Sequence, residues 1–168
     1  KDYEVRLLLE DFVAGRDAFK QAKIREGDEV FVTSLFSPLV DAGWNLPVLR
    51  FGRIALLPGR KLPIQGTGVE LILVELLSSA GSSGSPVFLY RPAVEGQAPT
   101  LEHPGELLLT GILRGGFFKA DELRLSKEED QGIRVSVQNL GMSGVVPAPY
   151  LRDILFSDSV KQARGEAP

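Results

Sequence analysis

The chain has 168 residues, 43% hydrophobic and 24% charged, which fits one domain or two small lobes sharing an interface and excludes a large multidomain enzyme or a disordered chain. Lys and Arg total 19 against 22 Asp and Glu, so a net charge of -3 supplies no bulk positive field to draw it to nucleic acid or anionic lipid. With 0 Cys and one histidine, His103, a disulfide framework, a Cys-based zinc site, a thiol nucleophile and a multi-histidine metal site are excluded.

The 18 Gly and 11 Pro punctuate short apolar runs at the spacing of an all-β sandwich or barrel. In chain order, strands are predicted over Glu29 to Phe36, Val48 to Leu57 and Val69 to Leu77. The third is bracketed by Gly66-Thr67-Gly68 and Ser78-Ser79-Ala80-Gly81, which favours a buried strand over a helix. Pro86 to Tyr90 and Leu107 to Leu113 follow, separated by Arg91 to Gly105, a stretch rich in Pro, Gly and polar residues that reads as a surface loop. The charged stretch Lys119 to Gly132 reads as a second surface loop, with a helical turn around Ser126-Lys127-Glu128-Glu129. Ile133, Val135 and Val137 alternate with Arg134 and Ser136, the period-2 signature of a strand with one buried face. After Pro147 and Pro149, Tyr150, Leu151, Ile154 and Leu155 recur at helical spacing, so a short amphipathic helix closes the chain before a frayed tail.

Apolar stretches such as Leu71-Ile72-Leu73-Val74 fall far below the roughly 18 residues that span a bilayer, so no transmembrane helix is expected. The start Lys1-Asp2-Tyr3-Glu4-Val5-Arg6 is charged throughout and does not read as a secretory signal. Its lack of an initiator Met is read as a start downstream of the natural one. No Gly-rich phosphate loop, dinucleotide fingerprint or interleaving of aromatic and basic residues is present, so neither a cofactor nor a nucleic-acid partner is expected.

The informative stretch is Gly81-Ser82-Ser83-Gly84-Ser85-Pro86-Val87-Phe88, a small-residue turn entering a strand. Its plain reading is a flexible Ser/Gly hairpin loop. Its chemical reading is that glycines on both sides of Ser83 let the backbone curl until the Gly81 and Ser83 amides point at one spot beside the Ser83 hydroxyl. Such a pair would form an oxyanion hole, in which each preorganised donor lowers the barrier by roughly 3 kcal/mol.

These residues resemble the trypsin-like, chymotrypsin-fold serine endopeptidases, whose nucleophile lies in a G-x-S-G-x-P motif. Further stretches fall in the family's order. Gly27-Asp28-Glu29-Val30-Phe31-Val32 with Leu35-Phe36-Ser37-Pro38 resembles the strand and turn that open the C-terminal barrel in bacterial members, and Phe51-Gly52-Arg53-Ile54-Ala55 resembles its next strand. Leu109-Thr110-Gly111-Ile112-Leu113-Arg114-Gly115-Gly116 is similar to the strand lining the substrate cleft, and Gly144-Val145-Val146-Pro147 to the closing strand before the C-terminal helix. The resemblance runs from about Ile24 to Leu155. It implies an all-β fold, mainly the C-terminal antiparallel β-barrel of the two-barrel architecture with a short C-terminal α-helix. Residues 24–158 would form that barrel with its closing helix, 1–23 an inter-barrel lead-in or remnant of the N-terminal barrel, and 159–168 a tail.

The resemblance assigns Ser83 as nucleophile, with the Gly81 and Ser83 amides as oxyanion hole. Trypsin has an acidic residue just before its nucleophile that pairs with a newly cleaved N-terminal amine; here Ser82 stands there, so activation by that ion pair is not expected. A serine hydroxyl also needs an imidazole to take its proton and a carboxylate to orient the imidazole. His103 follows Ser83, whereas the family orders His, Asp, Ser, so His103 reads as an ordinary exposed histidine. Asp2, in Asp2-Tyr3-Glu4-Val5-Arg6-Leu7-Leu8, resembles the family's D-x-A-[LV]-x-[LI] strand, with Asp11 and Asp17 as alternative registers and a surface aspartate as the plain reading. The base is therefore expected from a missing N-terminal segment or a partner chain. Leu77, six residues before Ser83, would lie at the base of the primary specificity pocket, with Gly116 and Gly144 leaving its walls open. A leucine there offers no charge partner, which implies apolar residues before the cleaved bond; its plain reading is a core strand residue.

Two functions follow as expectations. The first is a serine-type endopeptidase acting on a peptide or protein through an acyl-enzyme on Ser83. The second is a catalytically inactive trypsin-like fold that binds proteins or peptides. An unrelated α/β esterase is disfavoured, because the serine motif precedes a strand rather than a helix.

Overall fold

Strand β1 (Glu29–Leu35) buries Val30, Val32 and Ser34 and turns the residues between them outward, as a period-2 strand over a core must. The computed structural model describes residues 10–21, 24–36, 43, 46–59, 61–64, 66–79, 81–91, 105–124 and 133–165. The remaining strands are β2 (Pro47–Leu56), β3 (Lys61–Ile64), β4 (Thr67–Glu70), β5 (Ile72–Glu75), β6 (Pro86–Arg91), β7 (Glu106–Arg124) and β8 (Ile133–Pro147). Six of them form a closed antiparallel barrel in the order β1-β2-β5-β8-β7-β6, with β6 pairing back to β1 through Val30↔Leu89, Phe31↔Phe88 and Val32↔Val87. The fold is thus all-β, an antiparallel barrel closed by a C-terminal helix.

Every barrel strand contributes to one core: Val30 and Val32 from β1, Ile54 from β2, Ile72 and Val74 from β5, Val87 and Leu89 from β6, Leu109 and Leu113 from β7, and Val145 from β8. Each such aliphatic side chain, fully buried, contributes roughly 1.5–3 kcal/mol. Around the outside, Phe31 stacks on Phe88 at 5.3 Å and tilts against Phe51 at 6.3 Å, and Phe51 remains 75% exposed.

The helices are α1 (Arg16–Gln21), α2 (Ala148–Leu155) and α3 (Asp158–Ala163), with a 3₁₀ turn at Glu10–Phe12. Helix α2 begins where Pro147 and Pro149 predict, since proline presets the first-turn φ and lacks only an N–H the helix would leave unpaired. It also ties down the N-terminal segment. The Arg152 guanidinium donates to the carbonyls of Glu10 at 3.0 Å and Val13 at 2.9 Å and pairs with the Glu10 carboxylate at 2.7 Å. Arg16 pairs with Asp153, and the Ala14 amide donates to Leu109 on β7 at 3.0 Å. Residues 10–21, the described part of the expected lead-in, are therefore tied both to β7 and to α2.

Three expectations are corrected. The predicted strand Val69 to Leu77 is two strands that part at Leu71: β4 pairs with β3 in a separate two-stranded sheet, whereas β5 joins the barrel. The β3–β4 hairpin itself was not predicted. Strands β7 and β8 run well beyond Leu107 to Leu113 and Ile133 to Val137, so Lys119 to Arg124, expected in a loop, pair with Ile133 to Gln138 as a two-stranded arm. Residues 125–132 and 92–104, with the expected helical turn and His103, lie outside the described residues.

Gly111 marks the tightest strand approach. A β-carbon there would sit 2.3 Å from the Val146 carbonyl oxygen and 2.5 Å from Val145 Cγ1. Gly111→Ala is expected to destabilise the fold by about 1–3 kcal/mol, read as a lower denaturant midpoint at unchanged slope. A second outcome concerns pH. The Tyr150 hydroxyl donates to Glu70 at 2.6 Å, and that bond, with some burial, raises the Tyr150 pKa above its ordinary 10.0. A raised folded-state pKa gives stability that is present below pH 10 and lost as pH rises through the folded value. The stability difference between wild type and Tyr150→Phe should therefore stay constant up to about pH 10 and shrink as the pH is raised above it in paired denaturant melts.

Candidate functional site

The turn between β5 and β6 is built from small residues because its backbone goes where larger ones cannot. Gly81 has φ +86 and Gly84 φ +88, the left-handed region that costs an L side chain roughly 1–2 kcal/mol. Nothing lies within 4 Å of where a β-carbon at Gly84 would sit, so backbone conformation alone requires glycine there. The Ser82 amide donates to the Ser79 carbonyl at 3.1 Å and the Ser85 amide to the Ser82 carbonyl at 3.2 Å. The turn is then clamped to β7 reciprocally: Gly84 donates to the Leu113 carbonyl at 2.8 Å, and Leu113 donates to the Ser85 carbonyl at 2.8 Å.

This curl buries Ser82 completely and leaves Ser83 exposed. The Ser83 hydroxyl donates to the Arg114 carbonyl of β7 at 2.8 Å. Among the described residues, neither the Gly81 nor the Ser83 amide donates to a backbone carbonyl. Among the described residues, both amides are thus without a backbone acceptor in the turn that carries an exposed hydroxyl. The next strand is β6, not a helix, as the sequence predicts for this motif.

A cavity of about 390 Å³ lies beside Ser83 along β7 and β8, lined by Ile64, Leu71, Arg114, Gly115, Gly116, Phe117, Phe118 and Gly144. A β-carbon at Gly115 would be 3.7 Å from the Ser83 hydroxyl oxygen. One at Gly116 would meet the Ser78 hydroxyl at 2.6 Å and the Phe118 ring at 3.2 Å, and one at Gly144 would meet Leu71 at 3.0 Å. The structure thus brings Ser83, Gly116 and Gly144 to one region. Leu77 lies elsewhere: it is 64% exposed and lines a different cavity with Arg50, Phe51, Asn139 and Leu140.

The residue of that segment facing Gly116 is Ser78, which the sequence reading missed. The Ser143 hydroxyl donates to the Leu76 carbonyl at 2.8 Å, which leaves its oxygen to accept from the Ser78 hydroxyl at 3.0 Å, and the Ser78 carbonyl accepts from Asn139 Nδ2 at 2.9 Å. Strand parity was the available signal, because Val74, Leu76 and Ser78 are buried while Glu75 and Leu77 point out.

Asp2 lies outside the described residues, as does His103. Asp11 and Asp17, the alternative carboxylates, are exposed on the N-terminal 3₁₀ turn and on α1. Among the described residues no carboxylate or imidazole is hydrogen-bonded to Ser83, and no three His, Cys, Asp or Glu side chains cluster as metal ligands. No described helix is long and apolar enough to cross a membrane. Comparison with protein-family models, curated proteins and solved structures gives no match.

Because Gly84 is held by φ rather than by space, Gly84→Ala should cost roughly 1–2 kcal/mol, with the loss centred on the turn. Amide exchange across residues 81–85 should rise more than exchange in β5 or β8.

Proposed function

We propose that this chain carries the nucleophile-bearing barrel of a trypsin-like serine endopeptidase. The observation that carries the reading is the turn itself: two left-handed glycines around Ser82-Ser83, an exposed hydroxyl, and two amides without backbone acceptors among the described residues. Its position between two barrel strands, beside an open cavity, adds support.

In this reading a base takes the Ser83 proton as Oγ bonds to the scissile carbonyl carbon. The carbonyl oxygen becomes an anion facing the Gly81 and Ser83 amides, which stabilise it more than they stabilise the neutral carbonyl. The C–N bond then breaks, the leaving amine takes the proton from the base, and water hydrolyses the Ser83 ester by the same steps in reverse. The imidazole that this requires comes from outside the described residues, with Asp2 as its candidate orienting carboxylate. Ile64, Leu71, Phe117 and Phe118 give the cavity an apolar lining, which supports a preference for apolar side chains before the cleaved bond.

One observation favours a second reading, a peptide-binding module on the same barrel. The Ser83 hydroxyl donates to a backbone carbonyl at 2.8 Å, so it is engaged as a structural donor in this state. The two readings separate on a fluorophosphonate probe applied to the full-length natural protein. An endopeptidase is labelled at Ser83, and Ser83→Ala abolishes the label and slows peptide hydrolysis by on the order of 10⁴-fold or more while leaving the melting temperature within a few degrees. Absence of label on a folded full-length protein would overturn the enzyme reading in favour of the binding module.

A further inference from the structure

Arg50 sits on β2, opposite Val32 of β1, yet its guanidinium reaches the segment that leads into the serine turn. Nη1 donates to the Leu77 carbonyl at 2.8 Å, and Nη2 donates to the Ser79 hydroxyl at 3.0 Å. That hydroxyl lies 3.3 Å from the hydroxyl of Ser82, the fully buried neighbour of Ser83, and the Ser79 carbonyl accepts from the Ser82 amide. A chain of contacts therefore runs from a barrel strand through Ser79 to the residue between Gly81 and Ser83.

Three features set Arg50 apart from a surface arginine. Among the described residues its Nε is buried without a hydrogen-bond partner, and the guanidinium pairs with no carboxylate. Its charge is thus directed at neutral oxygens, a carbonyl and a hydroxyl, where ion–dipole hydrogen bonds are stronger than neutral ones. Its carbon also lies 5.7 Å from the centre of the Phe36 ring, which restricts the side chain from the other side. Ser82, by contrast, is uncharged and buried, so the turn has no ion pair of its own at that position.

We propose that Arg50 is the positioning residue that sets the serine turn, and with it the Gly81 and Ser83 amides, in the geometry an anionic oxygen requires. Two anchors then fix the turn from opposite ends. Leu113 clamps its exit through Gly84 and Ser85, and Arg50 clamps its entry through Leu77 and Ser79. Arg50 does not touch a reacting atom; it acts through Ser79 and Ser82. The functional half of this inference rests on the reading of Ser83 as nucleophile, whereas the anchoring half does not.

The test uses the full-length protein with two readouts: amide exchange by peptide and the second-order rate of fluorophosphonate labelling at Ser83. Arg50→Met keeps much of the side-chain volume and removes both hydrogen bonds. It should raise exchange over residues 77–85 by about tenfold or more and slow labelling by a similar factor, with β5, β6 and β7 unchanged. Arg50→Lys should recover part of both effects, since an ammonium can still donate to the Leu77 carbonyl or the Ser79 hydroxyl. Unchanged exchange over 77–85, or an equal rise throughout the barrel, would overturn the proposal. Should Arg50→Met fail to fold, Ser79→Ala removes the Arg50–Ser79 bond and the hydroxyl contact to Ser82 while leaving the Arg50–Leu77 bond: faster exchange at 81–85 supports the proposal, and no change overturns it. If the wild-type protein takes no label, the enzyme reading falls by itself and the exchange result still decides the role of Arg50.

Discussion

The reciprocal backbone bonds between Leu113 and the Gly84–Ser85 pair are the constraint on which the candidate site depends. They make the serine turn a continuation of the β6–β7 ladder rather than a free loop, so the position of Ser83 is inherited from the barrel. Leu113 is itself a fully buried core residue, and it also pairs with Val145 on β8. Apolar packing thus fixes the residue whose backbone fixes the turn. Sites held by rigid elements keep their geometry better than sites on loops, and here a loop borrows the rigidity of a strand.

Strands β1, β2 and β6 were legible because their apolar residues alternate or run between turn signals, and α2 because two prolines announce its start. The division at Leu71 was not. Residues Val69 to Leu77 are almost uniformly apolar, and a change of pairing partner leaves no mark on such a run. The extension of β7 past Phe118 was hidden for the opposite reason. Lys119, Asp121, Glu122 and Arg124 make residues 119–124 read as a charged loop, yet among the described residues this stretch of β7 pairs with β8.

The site divides in the same way. The turn at Gly81, Ser83 and Gly84 was legible because glycine and serine cluster where the backbone takes positive φ, and Gly116 and Gly144 stood out as glycines within strands. Leu77 was chosen by counting back from the serine, whereas strand parity turns Leu77 outward and Ser78 inward, and a shift of one residue exchanges inside for outside. Arg50 carried no local signal at all. Its contacts lie 27 and 29 residues away in sequence, and it is the antiparallel pairing of β2 with β5, Arg53 opposite Glu75, that brings Arg50 to the segment after β5.

Barrel closure also governs how this chain meets other copies of itself. A closed sheet presents no unpaired ladder, so among the described residues the free strand edges belong to the β3–β4 hairpin and the β7–β8 arm. The hairpin places Pro63, which has no amide hydrogen, in the middle of β3, and the arm sets acidic and basic residues along its length. Both are poor templates for an incoming strand. Exposed rings such as Phe51 can therefore sit on the barrel's surface without a neighbouring edge along which cross-β stacking could begin.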